Sequence, residues 1–409
     1  MKRRDFLAAS AVLSLLTASP AIAAKKPAAK KPLAKTHAKP VRKPAAKHSY
    51  KPAARPLPAT AAASTEAPSE PRSVISLPDE PAARWRTYDI TSTVMLKKAQ
   101  GKTRIWLPLA QYKDTPWQRS LGHSWQGNFE NAGIYRDPVA EMEVFYADWS
   151  AEVSAPQLQI VSQVATQDRH FDITRRGAVA ERNEVLRRCL HPTAQVPTDG
   201  LVRQTAERAI GRIKDPVAQG KAIYDWVVDN TVRDPQSPGC CGLGDIAAML
   251  DSGHLGGKSA DIALLFVGLC RAIGIPARPV FGMRIDYSRL FGGLGMTGNL
   301  RQAQHCRAEF YTPGYGWIPV DPSDVRKSIL DEGLSSADSK LVVLKKLLFG
   351  FWEMNWIGFN AAQDVNLRGT LGQAMPFLTV PQIESAEGRF DSLDSERFSY
   401  KVSASRIES

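Results

Sequence analysis

One apolar segment limits the folds open to this chain more than any other feature. The residues from Ser259 to Ile273 carry few polar side chains, follow Gly256-Gly257, and end in Gly274-Ile275-Pro276. Glycine and proline at such positions bound a helix, so the segment predicts one helix that is buried on all sides. A buried helix requires other elements around it, and the chain must supply them.

Helical and extended patterns lie on either side of this segment. Val202, Ala206 and Ile210 recur at helical spacing before it, and Asp215-Pro216 predicts the start of a second helix. After it, β-type runs occur at 277–283, 306–311 and 317–320. Helices followed by strands predict an α+β domain, which we place at residues 176–330. We expect the polar loops of this domain to form its functional site.

A β-rich domain is predicted at residues 84–175. Tyr88, Ile90, Val94 and Leu96 alternate with polar residues, which is typical of a strand with one exposed face. Between segments rich in Gly, Pro and Asn, similar runs recur at 103–109, 142–146 and 158–164.

The C-terminal extension, residues 331–409, contains an aromatic stripe. Trp352, Trp356 and Phe359 have helical spacing, so we predict an aromatic helix that packs on the core. The alternative is that these rings wall a groove.

The first residues have the order of an export signal. Arg3 and Arg4 precede an uncharged run from Phe6 to Ala24, which is typical of a signal peptide at residues 1–24. The paired arginines resemble a twin-arginine signal, with an ordinary secretory signal as the alternative. We therefore expect cleavage near Ala23 and a periplasmic or otherwise extracytoplasmic protein.

Residues 25–83 predict a disordered linker. Up to Arg72 the segment consists largely of Lys, Pro and Ala, so like charges repel and proline favours extended backbone. The linker either adheres weakly to the anionic envelope or serves as a solvated spacer.

The net charge of +12 is confined to the front of the chain. Residues 1–72 hold 15 of the 53 basic side chains and 3 of the 41 acidic ones. Residues 73–409 therefore contain 38 of each sign and carry no net charge. A neutral folded part has no basic field, so we expect no nucleic-acid partner.

The cysteines do not form the pattern of a disulfide scaffold, since only five occur, at irregular spacing: Cys189, Cys240, Cys241, Cys270 and Cys306. Adjacent cysteines bridge each other poorly, so Cys240-Cys241 is expected to be inert, to pair with Cys189, or to lie near the site. No CxxC or HExxH pair suggests zinc, and we predict no metal and no cofactor.

Three short segments each place one candidate catalytic side chain: Ser259, His305 and Asp321. Ser259 lies where a glycine loop enters the buried helix, so backbone N–H groups and the positive helix end point at its surroundings. Asp321 ends a later strand, where it could accept a hydrogen bond from His305 and fix its tautomer. Alternation in the strand at His305 sets Arg307 on the same face and Cys306 in the core.

These motifs resemble the transglutaminase-like superfamily. The stretch from Gly257-Lys258-Ser259-Ala260-Asp261 to Gly274-Ile275-Pro276-Ala277-Arg278 resembles its nucleophile helix, and the segments at His305 and Asp321 resemble its histidine and aspartate motifs. The resemblance covers about residues 200–325. It implies the core of the papain-like cysteine protease fold. Active members use a Cys-His-Asp triad for acyl transfer or amide hydrolysis, and the matching positions here hold Ser259, His305 and Asp321.

Serine at the position of the nucleophilic cysteine changes the chemistry. A helix end and an imidazolium can bring a thiol pKa from about 8.5 into the physiological range, but they cannot ionise a serine hydroxyl. Ser259 attacks only if His305 removes its proton during the reaction. The alternative is that Ser259 caps the helix without chemistry, since serine is a preferred N-cap residue.

Three functions remain open from the sequence. The first is an enzyme that transfers or hydrolyses amide groups of an envelope peptide or protein, with Ser259 as nucleophile, His305 as base and Asp321 as orienting residue. The second is a catalytically silent module that binds such groups in the same cleft. In the third, the basic linker is the functional segment, because it tethers the protein near the anionic envelope.

Overall fold

A computed structural model describes residues 85–97, 99–335 and 337–408. The predicted signal peptide and linker lie outside the described residues. Within these ranges, no helix has the length and apolar character needed to cross a bilayer.

The strands, in chain order, are β1 (Arg86–Leu96), β2 (Thr103–Pro108), β3 (Gln118–Gly127), β4 (Asn131–Asp137), β5 (Met142–Trp149), β6 (Gln157–Thr166), β7 (Arg169–His170), β8 (Val232–Arg233), β9 (Gly256–Gly257), β10 (Ala277–Arg284), β11 (Gln304–Thr312), β12 (Gly316–Val320), β13 (Phe351–Trp352), β14 (Trp356–Asn360), β15 (Gln382–Ser385), β16 (Gly388–Asp391) and β17 (Phe398–Ile407). The helices are α1 (Asn183–Arg188), α2 (Gly200–Ile210), α3 (Pro216–Asn230), α4 (Ile246–Ser252), α5 (Ser259–Ala272), α6 (Pro322–Glu332) and α7 (Ser339–Leu347), with a 3₁₀ turn at Gly292–Leu294.

Two antiparallel sheets form a β-sandwich. One has the strand order β17-β1-β6-β3 and the other β16-β15-β2-β5-β4. The alternation predicted in β1 is observed, because Tyr88, Ile90, Val94 and Leu96 are all buried. They share a core with Phe145 and other side chains of the second sheet.

A second core surrounds α5. The antiparallel sheet β12-β11-β10-β14 packs against this helix, whose residues are all buried. Cys306, Ala308 and Phe310 of β11 belong to the same apolar cluster, and the Phe310 ring meets Phe266 of α5 edge-on at 5.9 Å. Cys306 is thus in the core, as alternation along the strand predicted.

Helix α3 packs in the same core as α5, and capping residues fix where it begins. Asp215 is the N-cap of α3, its carboxylate accepts the Ala218 N–H at 2.8 Å, and Pro216 begins the helix. Ile223, Tyr224 and Val227 then face α5.

The C-terminal extension differs from its prediction in two ways. The aromatic helix is wrong, because Trp352 lies in β13 and Trp356 and Phe359 lie in β14. The helical spacing arises because these residues are divided between two successive strands. Short apolar runs do not distinguish the period of a helix from that of a strand. In addition, β15, β16 and β17 return to the β-sandwich, which therefore takes strands from both ends of the described chain.

Candidate active site

Helix α5 begins at a tightly held turn. Lys258 is its N-cap residue and Ser259 its first helical residue. Asp261 accepts backbone N–H groups from Lys258 at 2.8 Å, Leu243 at 2.9 Å and Gly244 at 2.7 Å. Burial raises the pKa of Asp261, and these three donors oppose that effect. The loop before α4 is thereby fixed against the start of α5.

The Ser259 hydroxyl lies against β11. Ser259 is 2% exposed, and its Oγ accepts a hydrogen bond of 3.2 Å from the N–H of Cys306. Among the described residues it has no hydrogen bond to the His305 imidazole. The N-cap alternative is wrong, because Lys258 occupies that position and the hydroxyl bonds to a different element.

His305 and Asp321 form a buried pair. Nε2 of His305 is 2.7 Å from Oδ2 of Asp321. The other oxygen of Asp321 caps α6, where it accepts the N–H of Asp324 and the hydroxyl of Ser323, both at 3.0 Å. Because α6 fixes one oxygen, the other is held toward the imidazole. The structure thus brings together two of the three predicted site residues through a hydrogen bond.

Two arginines complete a buried charge cluster around this pair. Arg284 pairs with both oxygens of Asp324, and Nε of Arg307 lies 3.3 Å from Oδ2 of Asp321. Alternation in β11 had placed Arg307 on the face of His305, so the sequence contained a signal for it. Arg284 and Asp324 were missed, because neither belongs to a recognisable motif.

The electrostatics of the cluster keep the imidazole neutral. Burial lowers the pKa of His305 well below 6.5, and the nearby guanidinium groups of Arg284 and Arg307 act in the same direction. Asp324 opposes the shift. A neutral imidazole is the form that acts as a general base, so His305 has the protonation state that the chemistry requires.

A metal ion does not fit the cluster. His305, Asp321 and Asp324 place three ligand atoms within 4.8 Å of one another. However, Arg284 pairs with Asp324, and Arg307 lies beside Asp321. The two guanidinium groups already neutralise the two carboxylates. A divalent cation would place two further positive charges beside them, which is electrostatically unfavourable.

The candidate triad is closed to solvent. Ser259, His305 and Asp321 are 2%, 4% and 1% exposed. Two cavities of the described residues, of about 550 and 240 Å³, are lined by other side chains. Neither cavity therefore gives a substrate access to Ser259.

The adjacent cysteines lie beside the start of α5. The carbonyl of Cys241 accepts the Ala260 N–H at 2.7 Å. Cys240 Sγ is 3.6 Å from Cys241 Sγ and 3.1 Å from the Thr379 hydroxyl. The side-chain hydrogen bond between the two thiols lowers the pKa of Cys240. All five cysteines are free thiols, so the expected alternative of a bridge to Cys189 is not formed.

Comparison with known proteins identifies the family of the domain that contains these residues. The sequence profile of the transglutaminase-like superfamily matches residues 203–322, which include Ser259 and His305. This part of the chain belongs to the superfamily. A transglutaminase-like domain thus contains α5 and β11, and its α+β, papain-like fold is confirmed together with the β-rich region before it.

Two similar proteins extend this result. A candidate cysteine protease from Cytophaga hutchinsonii shares the fold, with a TM-score of 0.51 and 16% identity over 80% of this chain and 92% of that one. An uncharacterized protein from Haemophilus influenzae is 33% identical over 342 residues, which is 79% of this chain and 90% of that protein. This second similarity extends beyond the transglutaminase-like domain, so the two proteins share a family over most of their length.

Proposed function

We propose that this chain is an exported, catalytically silent transglutaminase-like protein that binds peptide groups of envelope proteins. The environment of Ser259 carries the proposal. Its hydroxyl accepts the N–H of Cys306, is not bonded to the His305 imidazole among the described residues, and is 2% exposed. A serine in this position has neither the thiolate chemistry of a cysteine nor, among the described residues, a hydrogen bond to a base.

The first test compares chemistry with and without the Ser259 hydroxyl. Purified full-length protein and Ser259→Ala are assayed for hydrolysis of casein and for incorporation of a labelled amine into it. We expect both proteins to match the buffer background. Activity that is present in the natural chain and absent in Ser259→Ala would establish catalysis.

A second candidate function, acyl transfer or amide hydrolysis, is favoured by one observation. The His305–Asp321 pair is intact at 2.7 Å, and burial lowers the pKa of the imidazole, which favours its neutral form. A movement that brings Ser259 Oγ to the imidazole would complete a base-assisted nucleophile. The comparison with Ser259→Ala decides between the two candidates.

The larger cavity supports the binding part of the proposal. It has a volume of about 550 Å³, within the range of ligand pockets, and is lined by the rings of Trp117, Tyr315 and Trp317. Aromatic rings beside paired charges bind peptide side chains by apolar contact. Short peptides from a casein digest should show saturation-transfer signals that fall in Tyr315→Ala. Tyr287→Ala, at an exposed tyrosine outside this cavity, is the control.

The proposed envelope location rests on the sequence of the first residues. Residues 25–72 carry a charge excess of ten, which attracts anionic polymers and lipids over a Debye length of about 8 Å at physiological ionic strength. Deletion of residues 25–72 should reduce fractionation with cell envelopes, and salt should release the natural chain. Fractionation that is unchanged by both would contradict the tether.

A further inference from the structure

A second cavity lies at the far end of α5 from Ser259. It has a volume of about 240 Å³ and lies between the turn after β4, the end of α1, Arg271 of α5 and residues 361–366. Arg271 lies twelve positions after Ser259, so the cavity is roughly 18 Å along the helix from the candidate triad. The cavity is therefore separate from the candidate triad.

Arg271 brings an unmatched charge to this cavity. The residue is 7% exposed, and its guanidinium donates to the carbonyls of Ala277 at 2.9 Å and His191 at 3.0 Å and to the Gln363 side chain at 2.9 Å. All three partners are neutral, and no carboxylate of the described residues pairs with it within 4.0 Å. A guanidinium has five N–H donors, so two remain for a ligand.

The other basic side chains near this cavity are engaged in ion pairs with carboxylates. Glu141 is surrounded by Lys113 at 2.7 Å, Arg278 at 3.3 Å and Arg188 at 3.7 Å. Arg278 also pairs with Glu309, which Arg169 contacts as well. The lining of the cavity itself contains three carboxylates, Asp137, Glu141 and Asp364, and three guanidinium groups. Arg188 and Arg278 both pair with Glu141, so Arg271 is the guanidinium group of this lining that has no carboxylate within 4.0 Å.

The backbone around the cavity is held in an uncommon conformation. Glu141 has φ 53° and Asp364 has φ 52°, and these are the non-glycine residues of the described ranges with positive φ. Both line this cavity. Left-handed backbone at a residue with a side chain costs free energy and is concentrated at ligand sites.

We propose that this cavity binds a small organic carboxylate with a short apolar body, whose oxygens are held by Arg271 and Arg188. Guanidinium groups match a carboxylate with two parallel hydrogen bonds. The buried side chains of Met142, Ala362 and Val365 supply the apolar wall. The volume lies below the usual ligand range of about 300–1,000 Å³, which limits the ligand to a small molecule.

Burial lowers the pKa of Arg271 to about 10, so the side chain remains cationic at neutral pH. Its charge can thus act on a ligand under ordinary conditions. The competing explanation is that Arg271 only ties the end of α5 to Ala277 and His191. That explanation predicts no ligand.

The test uses full-length protein and isovalerate, a small branched carboxylate, with isovaleramide as its neutral counterpart. Isothermal titration should give a dissociation constant of roughly 1 mM for isovalerate and no binding for the amide. Arg188→Gln, at the half-buried rim, should weaken binding about tenfold through loss of one charge-assisted pair. Arg187→Gln changes an exposed arginine outside the cavity and should leave binding unchanged.

Three results would overturn the proposal. Absence of isovalerate binding to the natural chain would leave Arg271 as a structural clamp. Binding that Arg188→Gln and Arg187→Gln weaken equally would place the ligand elsewhere. Binding of inorganic phosphate in preference to isovalerate would refute the carboxylate class.

Discussion

At position 259 the side chain oxygen serves as an acceptor for a neighbouring strand. Ser259→Ala removes this acceptor and leaves the N–H of Cys306 buried without that bond. We expect the free energy of unfolding to fall by about 1–3 kcal/mol, measured by urea denaturation. Ser328→Ala is the control, because the buried Ser328 hydroxyl has no hydrogen-bond partner. Equal losses in the two variants would contradict the structural role of Ser259.

The buried His305 predicts a pH dependence of stability. Its folded pKa is lowered, so the unfolded state binds more protons below the unfolded pKa of about 6.5. Stability should therefore be lost as pH falls below about 6.5, whereas ordinary carboxylates titrate below about pH 4.5. Urea denaturation between these pH values measures the slope. His305→Asn should flatten it, and an unchanged slope would assign the effect to other groups.

The positions of the site residues could be predicted from motifs, but their chemistry could not. Ser259, His305 and Asp321 each lie where a recognisable motif places them. The Ser259 hydroxyl is held by the Cys306 N–H of strand β11, and the lowered pKa of His305 results from burial and from the nearby Arg284. Such contacts depend on how separate elements pack, so no local pattern encodes them.

Among the secondary-structure elements, β10 and β14 meet closely enough to require glycine. A Cβ on Gly282 would lie 2.0 Å from the Ile357 carbonyl oxygen and 2.5 Å from the Trp356 ring. Gly282→Ala should therefore separate the strands and cost about 2–3 kcal/mol of stability, measured by urea denaturation. Gly292→Ala has nothing within 4 Å of its added Cβ and is the matched control. A tolerated Gly282→Ala would show that the two strands pack less closely.

Element type could be predicted where the pattern was long and bounded. The helix expected from Ser259 to Ile273 is observed as α5, because Gly274 and Pro276 follow it. The run around Trp352 and Trp356 gave the wrong element, since it is short and lacks a cap. In this segment, pairing with other strands determined the secondary structure, and the helical spacing of the aromatic residues did not.

At the scale of the whole molecule, the two ends of the described chain build one sandwich. Strand β17 pairs with β1 from Thr87 opposite Ile407 to Leu96 opposite Phe398. Pairing across so many residues has no local sequence signal, which is why the extension was not assigned to the β-rich domain.

Truncation tests this architecture. Deleting residues 398–409 removes Phe398, Tyr400 and Val402 from the sandwich core and should lower the melting temperature by more than about 8 °C. Deleting only residues 408–409 should leave the melting temperature unchanged, because these residues lie beyond β17. Equal melting temperatures for the two truncations would contradict the role of β17.

We propose that Ser259 stands at the nucleophile position of the transglutaminase-like domain and does not act as a nucleophile. A fluorophosphonate probe reacts with serines that a base activates, so it reports this property directly. The full-length protein is incubated with the probe beside trypsin as a positive control, and the adduct is located by mass spectrometry. We predict labelled trypsin and unmodified Ser259. Stoichiometric labelling of Ser259 that is lost in His305→Ala would contradict the account.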